Sequence, residues 1–255
     1  MSPDVGSQTI TKDNLNEYLK DLAKEFRKRS GGKTPAEIIL TGGAAVLAGY
    51  GFRDMTNDVD AIINASSVIK EAANFVGDKH GLPNGWLNAD FMRTASYSDK
   101  LREVSQYYRT FSNVLTIRTV SAEYLLAMKL KSGRQYKNDL SDVIGILREH
   151  ERNDSPISRE AIEKAIAYLY GADAMLPSAS AQLLDAVFAS GDYETLFNQV
   201  RDNETESRTL LIEFENQHPN TLNADNIDSI LASKRKKLID KASLLAKLEE
   251  KKRGE

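Results

Sequence analysis

The stretch IILTGGAAVLAGYGFRDMTNDVDAII, residues 38–63, decides how this chain is read. It begins inside AEIIL (36–40), an apolar run with the length and composition of a buried strand. Thr41, Gly42 and Gly43 break that run, and the alanine-rich segment behind them favours a short helix. A second apolar run, DVDAII (58–63), carries Asp58 and Asp60 with a single valine between them. Residues two apart in a strand face the same side, so the two carboxylates project together while Val59 faces the opposite layer. Adjacent carboxylates raise each other's proton affinity unless a cation stands between them. Magnesium (Mg2+) is the natural occupant, a hard ion that takes one or two carboxylates and completes its octahedron with water and substrate phosphates. Manganese (Mn2+) accepts the same oxygen donors. Gly42 and Gly43 let backbone approach a ligand closely, and the helix behind them aims free N–H groups at an anion. These residues imply a phosphate beside a divalent cation.

Outward from this core, residues 13–29 place Leu15, Tyr18, Leu19, Leu22 and Phe26 at helical spacing, and SGGKTP (30–35) ends the helix. SSVIKEAANFVGDKHG (66–81) reads as a helix begun by serine and closed at Gly81, and VLTIRTV (114–120) as a later strand. SAEYLLAMKLKSGR (121–134) and NDLSDVIGILREH (138–150) read as two helices joined at Gly133. After ERNDSPIS (151–158) strand signals stop and only amphipathic helical patterns continue, in AIEKAIAYLY, AQLLDAVFAS, YETLFNQVRD and NIDSILASKRKK. This predicts a boundary near residues 151–157: an α/β (α+β) unit at 1–152 and an all-helical unit at 153–255.

Composition narrows the class. The 255 residues suffice for one large or two moderate cores, and the absence of cysteine excludes a disulfide framework or a thiolate metal site. The amino terminus lacks a basic start followed by an apolar block, and no run approaches the roughly 18 apolar residues of a membrane span. A cytoplasmic protein with no membrane partner is expected. The net charge of −3 neither announces nor excludes a nucleic acid, but residues 234–255 hold nine basic and four acidic side chains, a face suited to RNA phosphates or simply to water. His80, His150 and His218 show no zinc-ligand spacing. Trp86 and Phe91 read as core or loop anchors, with base stacking as the other use of an aromatic.

The Gly42-Gly43 turn, its helix and the Asp58-x-Asp60 strand resemble the signature of polymerase-beta-like nucleotidyltransferases, with Arg53 and Thr56 of RDMTNDVD also falling where that superfamily has such residues. A Rossmann-like strand-turn-helix with a solvated acidic strand end is the other reading. The segment VSAEYLLAMKLKSGRQYKNDLSDVIGIL (120–147) resembles AbiEii-like proteins and the MenT-type nucleotidyltransferase toxins of type IV toxin–antitoxin systems, through Lys129, Arg134, Asp139 and Asp142. The resemblance covers about residues 36–150. It implies a nucleotidyltransferase fold with a small mixed sheet, a nucleoside triphosphate substrate, and magnesium on Asp58 and Asp60. It also implies catalytic roles for Asp58, Asp60, Lys129 and Asp142, and nucleotide binding by Gly42, Gly43, Arg53, Thr56, Lys129, Arg134 and Asp139. Lys129 would meet the triphosphate, positioned by Asp142 or Asp139. Read without the resemblance, Lys129 is a solvated helix residue and Asp139 a helix cap.

Such enzymes usually add a third carboxylate from a later strand, and VLTIRTV offers none. Asp90, in WLNADF, is the acidic residue left to propose. By family analogy the acceptor is a tRNA end rather than a protein hydroxyl, and the partner a cognate antitoxin. The competing expectation is a catalytically silent nucleotide-binding or partner-binding subunit of a toxin–antitoxin or phage-defence system.

Overall fold

The computed structural model describes residues 8–32, 34–223 and 226–235. In chain order the elements are β1 (Ile10–Thr11), α1 (Lys12–Arg29), β2 (Ala36–Leu40), α2 (Gly42–Gly49), β3 (Met55–Thr56), β4 (Val59–Asn64), α3 (Val68–His80) and β5 (Leu87–Asn88). Two short 3-10 turns, Asp90–Arg93 and Asp99–Arg102, lead to β6 (Ser105–Phe111) and β7 (Leu115–Val120). The helices α4 (Ala122–Ser132), α5 (Asp139–Arg152), α6 (Arg159–Tyr170), α7 (Ser178–Ser190) and α8 (Tyr193–Gln217) follow.

A five-stranded mixed sheet has the order β5-β4-β2-β7-β6, and β1 pairs with β3 in a separate two-stranded ladder. β2 runs antiparallel to β4 and parallel to β7, so the strand ahead of the glycine turn lies at the centre. Its residues Ile38, Ile39 and Leu40 are buried, as a central strand covered on both faces requires. The helical stripe of α1 is buried at all five expected positions, from Leu15 to Phe26. Gly81 and Gly133 close α3 and α4 in the left-handed conformation that glycine adopts without penalty. Trp86 is buried and its indole N–H donates to the Ala73 carbonyl, an anchoring role.

Four strands escaped the periodicity reading. β1, β3 and β5 have two residues each, too few to show alternation. β6, SQYYRTF, is an edge strand whose only buried residues are its two ends. Downstream of residue 152 the described structure is helical. One buried apolar cluster contains Leu19, Ile39, Leu126 and Ile146 together with Ile162, Leu184, Val187 and Phe197, so α6, α7 and α8 share a core with the sheet and its helices. Among the described residues no helix is long and apolar enough to cross a membrane. Of the basic terminal segment only Lys234 and Arg235 are described, at the end of a helical stretch spanning 227–235, and the rest of that expected face lies outside the described residues.

Candidate active site

The backbone register assembles the site. Leu40 of β2 pairs with Ala61 of β4, which sets Thr41 beside Asp60; the Thr41 N–H and Oγ1 both donate to the Asp60 carbonyl, at 2.9 and 3.0 Å. Gly42 follows at φ +52°, a left-handed conformation, and a Cβ there would stand 3.2 Å from Asp60 Oδ2. The turn therefore needs glycine both for its backbone angle and for the nearness of the carboxylate. On the other side β5 runs parallel to β4 with Asp60 opposite Asn88, which carries the chain on to Asp90.

Asp58, Asp60 and Asp90 line one cavity of about 220 Å³ together with Thr41, Gly42, Asn88 and Phe91. Lys129, Arg134, Lys137 and Asp139 line it too. The pair that the strand pattern placed on one side does face one space, although β4 itself begins only at Val59. No lysine or arginine among the described residues comes within 4.0 Å of the Asp58, Asp60 or Asp90 carboxylates. Burial, and then the Asp58 charge, push the Asp60 carboxyl above its usual range, against the more distant pull of Arg134, Lys137 and Lys129. An all-oxygen donor set with no lysine or arginine in contact suits a hard divalent cation. Asp58 and Asp60 would be its ligands, with Asp90 on the same cavity wall.

Behind this wall lies a chain of alternating charge. Lys129 of α4 is buried, with Nζ 3.0 Å from Asp139 Oδ1 and 2.7 Å from Asp142 Oδ2 on α5. Arg134 Nε stands 2.7 Å from Asp139 Oδ2, and Arg53 Nη1 reaches Asp142 Oδ2 from the other end. Asp139 and Asp142 share a helix face because they are three residues apart. Burial alone would raise the Asp139 carboxyl, but Lys129 and Arg134 outweigh it and hold it well below the usual range. The Lys129 ammonium is raised, because Asp142 and Asp139 overcome the effect of its burial. A solvated Lys129 and a simple capping Asp139 do not describe this arrangement.

The expected residues divide into two groups. Gly42, Asp58, Asp60, Lys129, Arg134 and Asp139 line the cavity. Arg53 and Asp142 line a separate crevice beside Phe52, and Thr56 is buried beneath the glycine turn. A Cβ on Gly43 would lie 2.7 Å from Thr56 Oγ1 and 2.8 Å from Arg53 Nη2, so Gly43 makes room for these two side chains. The sequence reading passed over Asn88, Thr94, Ser96, Ser132 and Lys137, all at the cavity. Lys137 alone carried a signal, as a cation within the Lys129–Asp142 motif.

Among the described residues one trio, Glu17, Asp21 and His80, brings its ligand atoms within 4.8 Å of one another. Lys79 Nζ and His80 Nε2 both already engage Asp21 Oδ2, so a metal on that oxygen would compete with an ammonium.

The family described as nucleotidyltransferase of unknown function (DUF6036) matches residues 17–150, more than half of the chain. The chain belongs to that family. The match takes in the glycine turn, Asp58 and Asp60 at the start of β4, Asp90 and the α4–α5 ion network, and ends within α5. No curated protein and no solved structure matches it.

Proposed function

We propose that this nucleotidyltransferase moves a nucleoside monophosphate from a nucleoside triphosphate to an acceptor hydroxyl. The observation that carries the proposal is the cavity itself, with Asp58, Asp60 and Asp90 unpaired among the described residues and Lys129, Arg134 and Lys137 lining the same space. A divalent cation held by Asp58 and Asp60, magnesium or manganese, would supply charge neutralisation at the reacting phosphate and its leaving group. Gly42 gives the phosphates close access to backbone, while Arg134 and Lys137 offer cationic donors to the β and γ groups. Lys129 lends its charge from behind, fixed by Asp139 and Asp142. Asp90, exposed and not assigned to the cation, is the carboxylate that would accept the proton of the attacking hydroxyl. The acceptor oxygen forms its bond to the α-phosphorus, the bond from that phosphorus to the bridging oxygen breaks, and pyrophosphate departs.

The resemblance to AbiEii-like and MenT-type proteins supports a tRNA end as acceptor and action as a cytoplasmic toxin or phage-defence component with a cognate antitoxin. On this reading residues 1–152 perform the transfer and residues 153–255, with their basic end, meet the acceptor. Lys129 is wholly engaged by two carboxylates, which favours as a second reading a catalytically silent nucleotide-binding subunit. Incubation with each α-labelled triphosphate, magnesium and total RNA or lysate separates the cases. Label in RNA supports the tRNA reading, label in protein redirects the acceptor, and tight triphosphate binding without transfer establishes the silent one.

A further inference from the structure

We infer that Glu204, on α8 and beyond the family-matched segment, is a positioning residue of the nucleotide site that acts through the first turn of α5. The inference rests on the nucleotidyl-transfer reading for its consequence, but the contact stands on its own. A helix start leaves backbone N–H groups without partners, and the N-cap residue of α5, Asn138, makes no side-chain cap. Glu204 takes that place from across the fold. Its Oε1 accepts from the N–H groups of Leu140 (2.9 Å) and Ser141 (3.3 Å), and Ser141 Oγ donates to its Oε2. Glu204 is 2% exposed, so losing these bonds would leave polar groups at the helix start unpaired in a buried place.

The turn it holds is the one that bears Asp139 and Asp142, the two carboxylates that fix Lys129. Arg208, one helical turn further along α8, donates from Nη2 to Asn138 Oδ1 at 2.8 Å. Ser207 Oγ accepts from Arg235, whose other nitrogen donates to Gln135. Residues from Gln135 to Ser141 are thus gripped from one face by α8 and the helical stretch after it, while Lys137 and Asp139 in the same segment, and Arg134 just before it, line the nucleotide cavity. A shift of this segment moves the phosphate-facing cations relative to Asp58 and Asp60. Displacements near 1 Å are enough to cost about a hundredfold in rate. Membership of the nucleotidyltransferase module therefore extends to a helix that the family match does not reach.

The test uses the full chain with Glu204→Leu, which removes the acceptors, and Glu204→Gln, which keeps an oxygen for the two N–H groups and an amide for Ser141 Oγ. Three readouts are taken: thermal melting, steady-state kinetics with a triphosphate and magnesium, and modification of Lys129 by an amine reagent mapped by mass spectrometry. The expected result is a folded Glu204→Leu with kcat/KM lower by tenfold or more, on the order expected for misplacement, carried mainly by KM, and with Lys129 newly reactive. Glu204→Gln should restore both values. Should Glu204→Leu fail to fold, Ser141→Ala, which deletes one donor, is read in the same way with a smaller effect. A folded variant with unchanged KM and a protected Lys129 overturns the inference and leaves Glu204 an ordinary cap. Absence of transfer in the wild type defeats the nucleotidyl-transfer reading instead, while Lys129 modification still decides the positioning role.

Discussion

Lys129 Nζ and Asp142 Oδ2 lie 2.7 Å apart in the buried contact between α4 and α5, and Arg53, from the loop behind the glycine turn, reaches the same oxygen. One carboxylate thereby joins the two sequence motifs, tying the segment that supplies Asp58 and Asp60 to the helix pair that supplies the cations. The loop continues this attachment along α5. Phe52 packs over Gly145, where a Cβ would meet the ring at contact distances no side chain tolerates, and the Gly51 N–H donates to the Glu149 carboxylate.

Lys129→Ala should be costly to the fold as well as to function. It leaves Asp139 with Arg134 alone and Asp142 with Arg53 alone. We expect a loss on the order of 3 kcal/mol, toward the lower end for breaking a buried charge pair because each carboxylate keeps one partner. Urea denaturation measures it. Calorimetry on the folded fraction should show triphosphate affinity falling much more than monophosphate affinity, and equal losses would place Lys129 away from the triphosphate tail.

Asp58→Asn and Asp60→Asn should each abolish magnesium-dependent transfer without unfolding the protein. The raised folded pKa of Asp60 means that this group's contribution to stability is present at low pH and lost as pH rises through that pKa. Asparagine removes that loss, so Asp60→Asn should melt no lower than wild type at neutral pH. Added magnesium should raise the wild-type melting temperature and leave both variants unmoved. A lowered melting temperature with activity tracking the folded fraction would make the pair structural.

On the acid side the Asp139 network sets the expectation. Its carboxyl is held below the ordinary 3.8, so its stabilising contribution is complete above that value and is lost as pH falls below it. Stability measured from pH 5 down to 2 should fall in wild type and fall less in Asp139→Asn, which begins from a lower plateau. Parallel curves would contradict the ion network.

Toward alkaline pH the sign reverses. Burial raises the Glu204 carboxyl to about 8, against the hydrogen bonds from Ser141 and Leu140 that lower it; Asp142 adds to the rise, and Arg235 and Glu206 share the cavity beside it. A raised folded pKa gives stability that is full below 4.5 and lost as pH rises through about 8. Glu204→Gln should therefore flatten the decline in stability between these values, and an unchanged slope would show that Glu204 is ionised throughout.

Gly43→Ala should loosen the site through steric conflict alone. Its methyl would overlap Thr56 Oγ1, which is buried, and Arg53 Nη2, and displacing that guanidinium strains its Nη1 contact with Asp142. Overpacking of this kind costs about 1–3 kcal/mol. Transfer should fall further than melting indicates, and a fully active Gly43→Ala would show that Arg53 need not hold Asp142.

The sequence by itself determined the strand, glycine turn, helix and acidic strand, because hydrophobic period and glycine placement are local and act over a few residues. It also marked Lys129, Arg134, Asp139 and Asp142, whose spacing sets one helix face and one turn. Only the tertiary structure decided what these groups meet. Arg53, expected at the phosphates, is drawn to Asp142, since a buried carboxylate requires a cation more than an open cavity does. Asp90 reaches the cavity through β5, two residues long and silent in any periodic pattern, because it is placed by hydrogen bonding to β4. Glu204 caps a helix 64 residues before it, a contact fixed by the packing of α8 on α5 and carried by no local signal.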